Sequence, residues 1–157
     1  MIVDKLTEFC DATSLIAATA ATTILGNVID LGTSPTGAVL TNVQGYPGNS
    51  CVYLVARMQT TATGASSTKA FELRSSTLAA LTGGTTTVHI SIPAIAMATL
   101  VEGYTVFCGE LPRGTYQRYL GMWATNAGDT MTAGKLDAFL TMEPPTVWAP
   151  TADALTK

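Results

Sequence analysis

The chain has 157 residues, which suits a single domain, because folded domains most often contain roughly 100 to 150 residues and this length can bury a substantial core. Hydrophobic residues make up 47% of the sequence and charged residues only 12%, against roughly 25% in an average protein. The net charge of −3 comes without a run of basic residues, so nucleic-acid binding is not expected, and the few charges favour neutral contacts with other protein.

The N-terminal residues 1–24 follow neither the period of a helix nor that of a strand, and they are predicted to form an extended arm. They lack the basic and hydrophobic regions of a secretory signal, and the apolar run 15–25 is shorter than the roughly 20 residues of a membrane span. We therefore expect synthesis in a cytoplasm and no membrane partner. Residues 27–31 predict a short strand, and residues 32–49 predict a long surface loop with room for a strand at 38–43.

Alternation of apolar and polar residues predicts the strands that follow. These strands are residues 51–59, 69–74, 85–92, 103–110, 116–124 and 133–142. Residues 78–81 and 94–101 suit one or two helical turns, and Pro93 is expected to end the strand before it. The last two strands are predicted to pair as a hairpin.

A corner is predicted in the connection that precedes the strand 116–124. Pro112 fixes φ and lacks an N–H group, and Gly114 is able to take the positive φ of a tight turn. Arg113 is expected to point outward between them. Pro112 and Gly114 are therefore the predicted structural corner.

Short strands separated by Gly-, Thr- and Pro-rich connections predict an all-β fold, a β-sandwich of jelly-roll type. A parallel α/β fold would need helical runs of about ten residues or more between the strands, and the sequence shows none. We predict three segments: an N-terminal arm over residues 1–24, a jelly-roll domain over 25–142, and a proline-rich C-terminal tail over 143–157.

The sequence shows no catalytic or metal-binding motif. His89 is the only histidine, and it is predicted to lie on the polar face of its strand without a carboxylate nearby in sequence. The segment 48–52 begins like a nucleophile elbow, but Val52 stands where the second glycine should be. The three cysteines are far apart and are expected to be buried, reduced thiols. We therefore expect no enzyme activity, no cofactor and no metal.

Arginine and tyrosine side chains are concentrated near the predicted corner. Arg113, Tyr116, Arg118 and Tyr119 are candidate interface residues, together with Trp148 of the tail, because arginine and large aromatic residues are enriched among interface anchors. Two other interpretations stay open: a structural corner without a partner, and a surface that stacks sugars.

Six segments, taken in order, carry a family resemblance. They are EFCDATS (8–14), NVIDLG (27–32), VYLVARMQT (52–60), EGYTVFCGELPRG (102–114), RYLGMWAT (118–125) and LDAFLTM (136–142). In their order and spacing these segments resemble the capsid cement, or decoration, proteins of short-tailed bacteriophages.

The resemblance implies a jelly-roll domain on the outside of an icosahedral shell, made in the host bacterial cytoplasm and bound to neighbouring major capsid subunits. It also implies a homo-oligomer, for which a dimer is the first expectation and a trimer the second, since two-fold pairing is the commonest closed symmetry. The expected function is stabilisation of the capsid in the virion, and the alternative is a carbohydrate- or receptor-binding β-sandwich module.

Overall fold

The computed structural model describes residues 7–18, 20–32, 52–82 and 85–142. Within these residues the chain forms eight β-strands and a single-turn 3-10 helix. The strands are β1 (Glu8–Ser14), β2 (Thr22–Asp30), β3 (Tyr53–Gly64), β4 (Thr68–Ser76), β5 (Thr86–Ala96), β6 (Thr105–Glu110), β7 (Tyr119–Ala127) and β8 (Met131–Thr141), and the helix is Met97–Thr99. The predicted tail with Trp148, the predicted strand 38–43 and Cys51 lie outside the described residues.

The strands form two antiparallel sheets of four strands each. Sheet A has the order β1-β8-β3-β6, and sheet B has the order β2-β7-β4-β5. The pairs β1 with β8, β2 with β7, β3 with β6 and β4 with β5 are nested inside one another along the chain. This nesting wraps two sheets into a jelly roll, and the predicted fold class is confirmed.

The predicted hairpin between the last two strands is wrong, because β7 belongs to sheet B and β8 to sheet A. The short connection between them crosses from one sheet to the other. Among the eight described strands, β4 and β5 are the pair that is consecutive in sequence and also adjacent in a sheet.

The core lies between the inner faces of the two sheets. Its largest strand residues include Leu54 and Met58 of β3, Phe71 and Leu73 of β4, and Leu120 of β7, all nearly inaccessible to solvent. Burying one such side chain stabilises the fold by roughly 1.5–3 kcal/mol. In each strand these residues alternate with residues of the outer face, which is why the pattern was visible in the sequence.

The N-terminal segment corrects the sequence prediction. Residues 8–14, assigned to an arm, form β1 and pair with β8, with register shifts on both sides of Cys10 and a φ of 49° at Ala12. Phe9 and Cys10 are consecutive in the chain and both belong to the core, whereas consecutive side chains of a regular strand point to opposite faces. These irregularities remove the alternation on which the sequence prediction depends, so the arm does not extend to residue 24.

Gly26 marks the place where the edges of the two sheets approach each other. It lies in the register shift of β2 between Leu25 and Val28 and has a φ of +64°. A Cβ at this position would overlap the carbonyl oxygen of Phe9 in β1. A glycine is therefore needed here both for its φ and for the close approach of two backbones.

The sequence predicted that the strand would end at Pro93, but β5 continues to Ala96. It is an edge strand of sheet B, and the proline lies within an irregularity of the register between Ile92 and Ile95. An edge strand has no partner on its outer side, so the missing N–H group is tolerated there. The predicted helix over 94–101 is reduced to the single turn Met97–Thr99.

Candidate partner-binding surface

Tyr116 is a structural residue of the corner and does not belong to an exposed patch. Its side chain is fully buried, and its hydroxyl donates a hydrogen bond to the carbonyl oxygen of Pro112 at 2.6 Å. A tyrosine that bonds the backbone a few residues upstream is a tyrosine corner, a device that fixes connections in β-sandwiches. Burial raises the pKa of Tyr116 to about 12. Tyr116 is therefore withdrawn from the candidate interface residues.

Behind the corner, His89 lies against Tyr116 instead of on the polar face of its strand. The two rings stack with their centroids 3.8 Å apart. His89 Nε2 lies within hydrogen-bond distance of Ser75 Oγ, at 2.7 Å. Ser75 Oγ in addition accepts a hydrogen bond from the Gln117 N–H group at 3.0 Å. A register shift between β4 and β5 turns His89 inward and leaves Val88 exposed, the reverse of the prediction. Ser75 is fully buried, so this serine and histidine form a structural contact.

Gly114 does not have the role that the sequence predicted. Its φ is not positive, and a Cβ at this position would meet no atom within 4 Å. Gly114 and Pro112 are both exposed. The shape of the corner depends instead on the carbonyl of Pro112, which receives the Tyr116 hydroxyl. The positive φ expected of Gly114 is therefore wrong, and the part that Pro112 takes in the corner is through its carbonyl oxygen.

Arg118 and Tyr119 lie together at the start of β7. The Arg118 guanidinium binds both carboxylate oxygens of Asp30, at 2.9 and 2.8 Å, and lies over the Tyr119 ring at 4.9 Å from its centroid. The Arg118 hydrogen bonds and the Gly32 N–H group lower the pKa of Asp30. Both charged side chains are substantially exposed, so the pair is ordered yet accessible.

A second arginine and aromatic pair lies further along the same sheet. The Arg74 guanidinium is 4.7 Å from the centroid of the Trp123 ring and forms an ion pair with Glu72. Glu72 stands directly opposite Trp123 in the pairing of β4 with β7. The sequence analysis missed this group, because the two strands are far apart in the chain and their register was not known.

These residues share the outer face of sheet B. Tyr119 and Trp123 alternate along β7 with the core residues Leu120 and Met122, so their side chains lie on the outer side of the sheet. Tyr119 is half-buried there, and Trp123 is only 8% exposed, with Arg74 over its ring. We call this surface the Trp123 face, and it comprises Asp30, Glu72, Arg74, Arg118, Tyr119 and Trp123. Its two acidic and two basic side chains cancel in charge.

The turn after β4 covers the middle of the Trp123 face. Leu81 is fully buried, and its Cδ1 lies 2.5 Å from the position that a Cβ on Gly121 would occupy. Gly121 thus leaves a notch in the sheet that Leu81 fills. Leu78 on the same turn is exposed, so this turn adds an accessible apolar side chain to a surface otherwise made of arginine, carboxylate and aromatic groups.

Comparison with known proteins gives one assignment. A sequence model of the Bbp16 family matches residues 9–140. The chain belongs to the Bbp16 family. A search among curated proteins finds no match to the sequence.

The part of the chain matched to the Bbp16 family begins in β1 and ends one residue before β8 does. It includes the Trp123 face and Arg113, and it does not include Trp148. Arg113 is exposed, but no ion pair or ring contact within the described residues joins it to the Trp123 face. Of the predicted interface residues, the structure therefore brings together Arg118 and Tyr119.

The described residues hold no cluster of three or more histidine, cysteine, aspartate or glutamate side chains arranged for a metal ion. In the same residues, no helix has the length and apolar character to cross a membrane.

Proposed function

We propose that this member of the Bbp16 family is a structural virion protein, which binds the outside of an icosahedral phage capsid and stabilises contacts between major capsid subunits. The proposal rests on the resemblance to capsid cement proteins, and the Trp123 face is the observation that carries it. A protein with this role needs a surface able to bind other protein, and needs no catalytic site.

The Trp123 face suits contact with another protein because its charged groups are already neutralised and held in place. Arg118 is fixed by two hydrogen bonds to Asp30 and by the Tyr119 ring, and Arg74 is fixed by Glu72 and the Trp123 ring. Ordering a free arginine at an interface costs roughly 0.5–1.5 kcal/mol in side-chain entropy. Because Arg74 and Arg118 are already ordered in the unbound protein, binding would lose little further entropy at these side chains. Arginine, tyrosine and tryptophan are also the residues that most often dominate interfaces.

A cement protein does not need a strong single contact. A standard interface buries roughly 800 Å² on each partner, and many copies on a symmetric shell add to one another through effective concentration. We also propose that the protein is a homo-oligomer, with a dimer preferred, so that each assembly reaches more than one capsid subunit.

The arrangement of the aromatic rings favours a protein partner over a sugar. A sugar stacks on an open ring face, but Trp123 and Tyr119 each have a guanidinium group over the ring. A carbohydrate would have to displace an arginine from its carboxylate partner. The carbohydrate- or receptor-binding module therefore remains the second interpretation.

The proposal is tested by mixing the purified full-length protein with capsid shells that lack it, followed by sedimentation and imaging. We expect saturable binding at symmetric positions. Arg118→Ala should weaken binding about tenfold, corresponding to about 1.4 kcal/mol, through loss of a preorganised anchor. Lys135→Ala, which removes an exposed charge from β8 in the other sheet, is the matched control and should bind as the wild type does.

Two outcomes separate the parts of this proposal. If the wild type shows no saturable binding to shells but binds glycans, the capsid function is wrong and the alternative gains support. If the wild type binds shells while Arg118→Ala binds equally well and Lys135→Ala does not, the function stands but the contact surface lies on sheet A.

A further inference from the structure

Three polar side chains are buried at one end of the sandwich, on the side of sheet B that faces the core. Ser67, Lys69 and Asn126 are 3%, 1% and 1% exposed. Lys69 and Asn126 are direct partners in the pairing of β4 with β7, and Ser67 precedes Lys69 by two residues. Side chains in such positions have Cβ atoms roughly 5 Å apart across the strands and roughly 7 Å apart along one strand, so the three side chains start from neighbouring positions.

The hydrogen bonds of these residues are incomplete. Lys69 Nζ donates to the carbonyl oxygen of Leu15 at 3.3 Å, which uses one of its three N–H groups. Within the described residues, no carboxylate lies within 4.0 Å of this amine to form an ion pair. Ser67 Oγ and Asn126 Oδ1 are buried and have no partner in the same part of the chain.

The orientation of the Asn126 amide is fixed. Its Nδ2 donates to the carbonyl oxygens of Ala18 and Asp129, both at 3.0 Å, so both N–H groups are used and a flipped amide would place oxygen against oxygen. Asn126 Oδ1 must therefore face away from these carbonyls as an acceptor. It needs a donor, whereas Lys69 Nζ needs acceptors and Ser67 Oγ can serve as either.

We propose that Ser67, Lys69 and Asn126 form an internal water site, which holds the β1–β2 connection against sheet B. Water can donate to Asn126 Oδ1 and accept from Lys69 Nζ at the same time, and buried polar groups of this kind are commonly bridged in this way. A halide ion fits less well, because it cannot donate a hydrogen bond to Asn126 Oδ1, which is an acceptor. The same residues already bind the connection directly, through the carbonyls of Leu15 and Ala18.

Ser67→Ala tests the site through the sign of its effect on thermal stability. An unpartnered buried hydroxyl destabilises a fold, so its removal would raise the melting temperature, whereas removal of a hydroxyl bound to water lowers it. We expect Ser67→Ala to lower the melting temperature by about 2–4 °C. Ser66→Ala is the matched control, because Ser66 is the neighbouring residue but is exposed, and it should leave the melting temperature unchanged.

A crystal structure of the full-length protein, with and without a bromide soak, provides the second measurement. Water density within hydrogen-bond distance of both Lys69 Nζ and Asn126 Oδ1 would support the proposal. An anomalous bromide peak at that position, a dry site, or a Ser67→Ala variant as stable as the wild type or more so would each overturn it.

Discussion

The tyrosine corner can be tested by removing a single oxygen atom. Tyr116→Phe deletes the hydroxyl that donates to the Pro112 carbonyl at 2.6 Å and keeps the ring that stacks on His89. A hydrogen bond contributes roughly 0.5–1.5 kcal/mol net, and a buried acceptor left without a donor costs more. Pro112 is exposed, so water can replace the lost donor, and we expect a loss of about 1 kcal/mol. For a chain of this size, that loss lowers the melting temperature by about 2–4 °C.

Calorimetry or circular dichroism on heating measures the change, and Tyr119→Phe is the matched control. It deletes the same atom from a tyrosine that is partly exposed and whose hydroxyl makes no hydrogen bond to the described residues. If Tyr116→Phe has the same melting temperature as Tyr119→Phe and the wild type, the Tyr116 hydroxyl does not stabilise the corner. The explanation of why Tyr116 is buried there would then be wrong.

Urea denaturation should distinguish the two glycines. Gly26→Ala should destabilise the fold by about 2 kcal/mol or more, because its φ is positive and a Cβ would overlap the Phe9 carbonyl. Gly114→Ala should change stability by less than about 0.5 kcal/mol, because a Cβ there meets no other atom. Equal effects would contradict both assignments. Burial lowers the pKa of His89 from 6.5, so the unfolded chain binds the proton more readily and the folded protein should lose stability as the pH falls below 6.5. In urea melts at pH 7.5 and 5.5, His89→Gln should lose less stability on acidification than the wild type, and an equal loss would refute this role. Burial raises the pKa of the Cys10 thiol to about 12, so at pH 8 a thiol reagent should modify Cys10 only after unfolding, and mass spectrometry that finds rapid native labelling would disagree.

The parts of the fold that the sequence predicted are those with one regular buried face. Strands β3, β4, β7 and β8 each place every second residue in the core over much of their length, and the sequence predicts each of these strands. Strand β1 was missed because two register shifts place Phe9 and Cys10 both in the core, so no period of two remains. Pro93 was misjudged because its tolerance depends on β5 lying at an edge, which only the strand order shows.

The candidate surface was predicted only where it is local in sequence. Arg118 and Tyr119 are neighbours and were identified together, whereas Asp30, which orients Arg118, is 88 residues away. Tyr116 resembled its neighbours in residue type, and nothing in a list of residue types shows that its hydroxyl turns back to Pro112. The spacing of four residues between a tyrosine and a preceding turn was the available signal.

The nested pairing of the strands has a consequence for how the chain reaches its fold. The β4–β5 pair closes a short loop, but each pair outside it must close a longer one, and β1 meets β8 only when nearly the whole described chain is in place. The entropy of loop closure makes such distant contacts slow to form. During synthesis on the ribosome, β1 leaves the exit tunnel before the other described strands and finds its partner last, so its Phe9 stays uncovered while about 130 further residues are made. Many copies of such a chain made at once would face a risk of aggregation set by the order of translation, not by the stability of the finished protein.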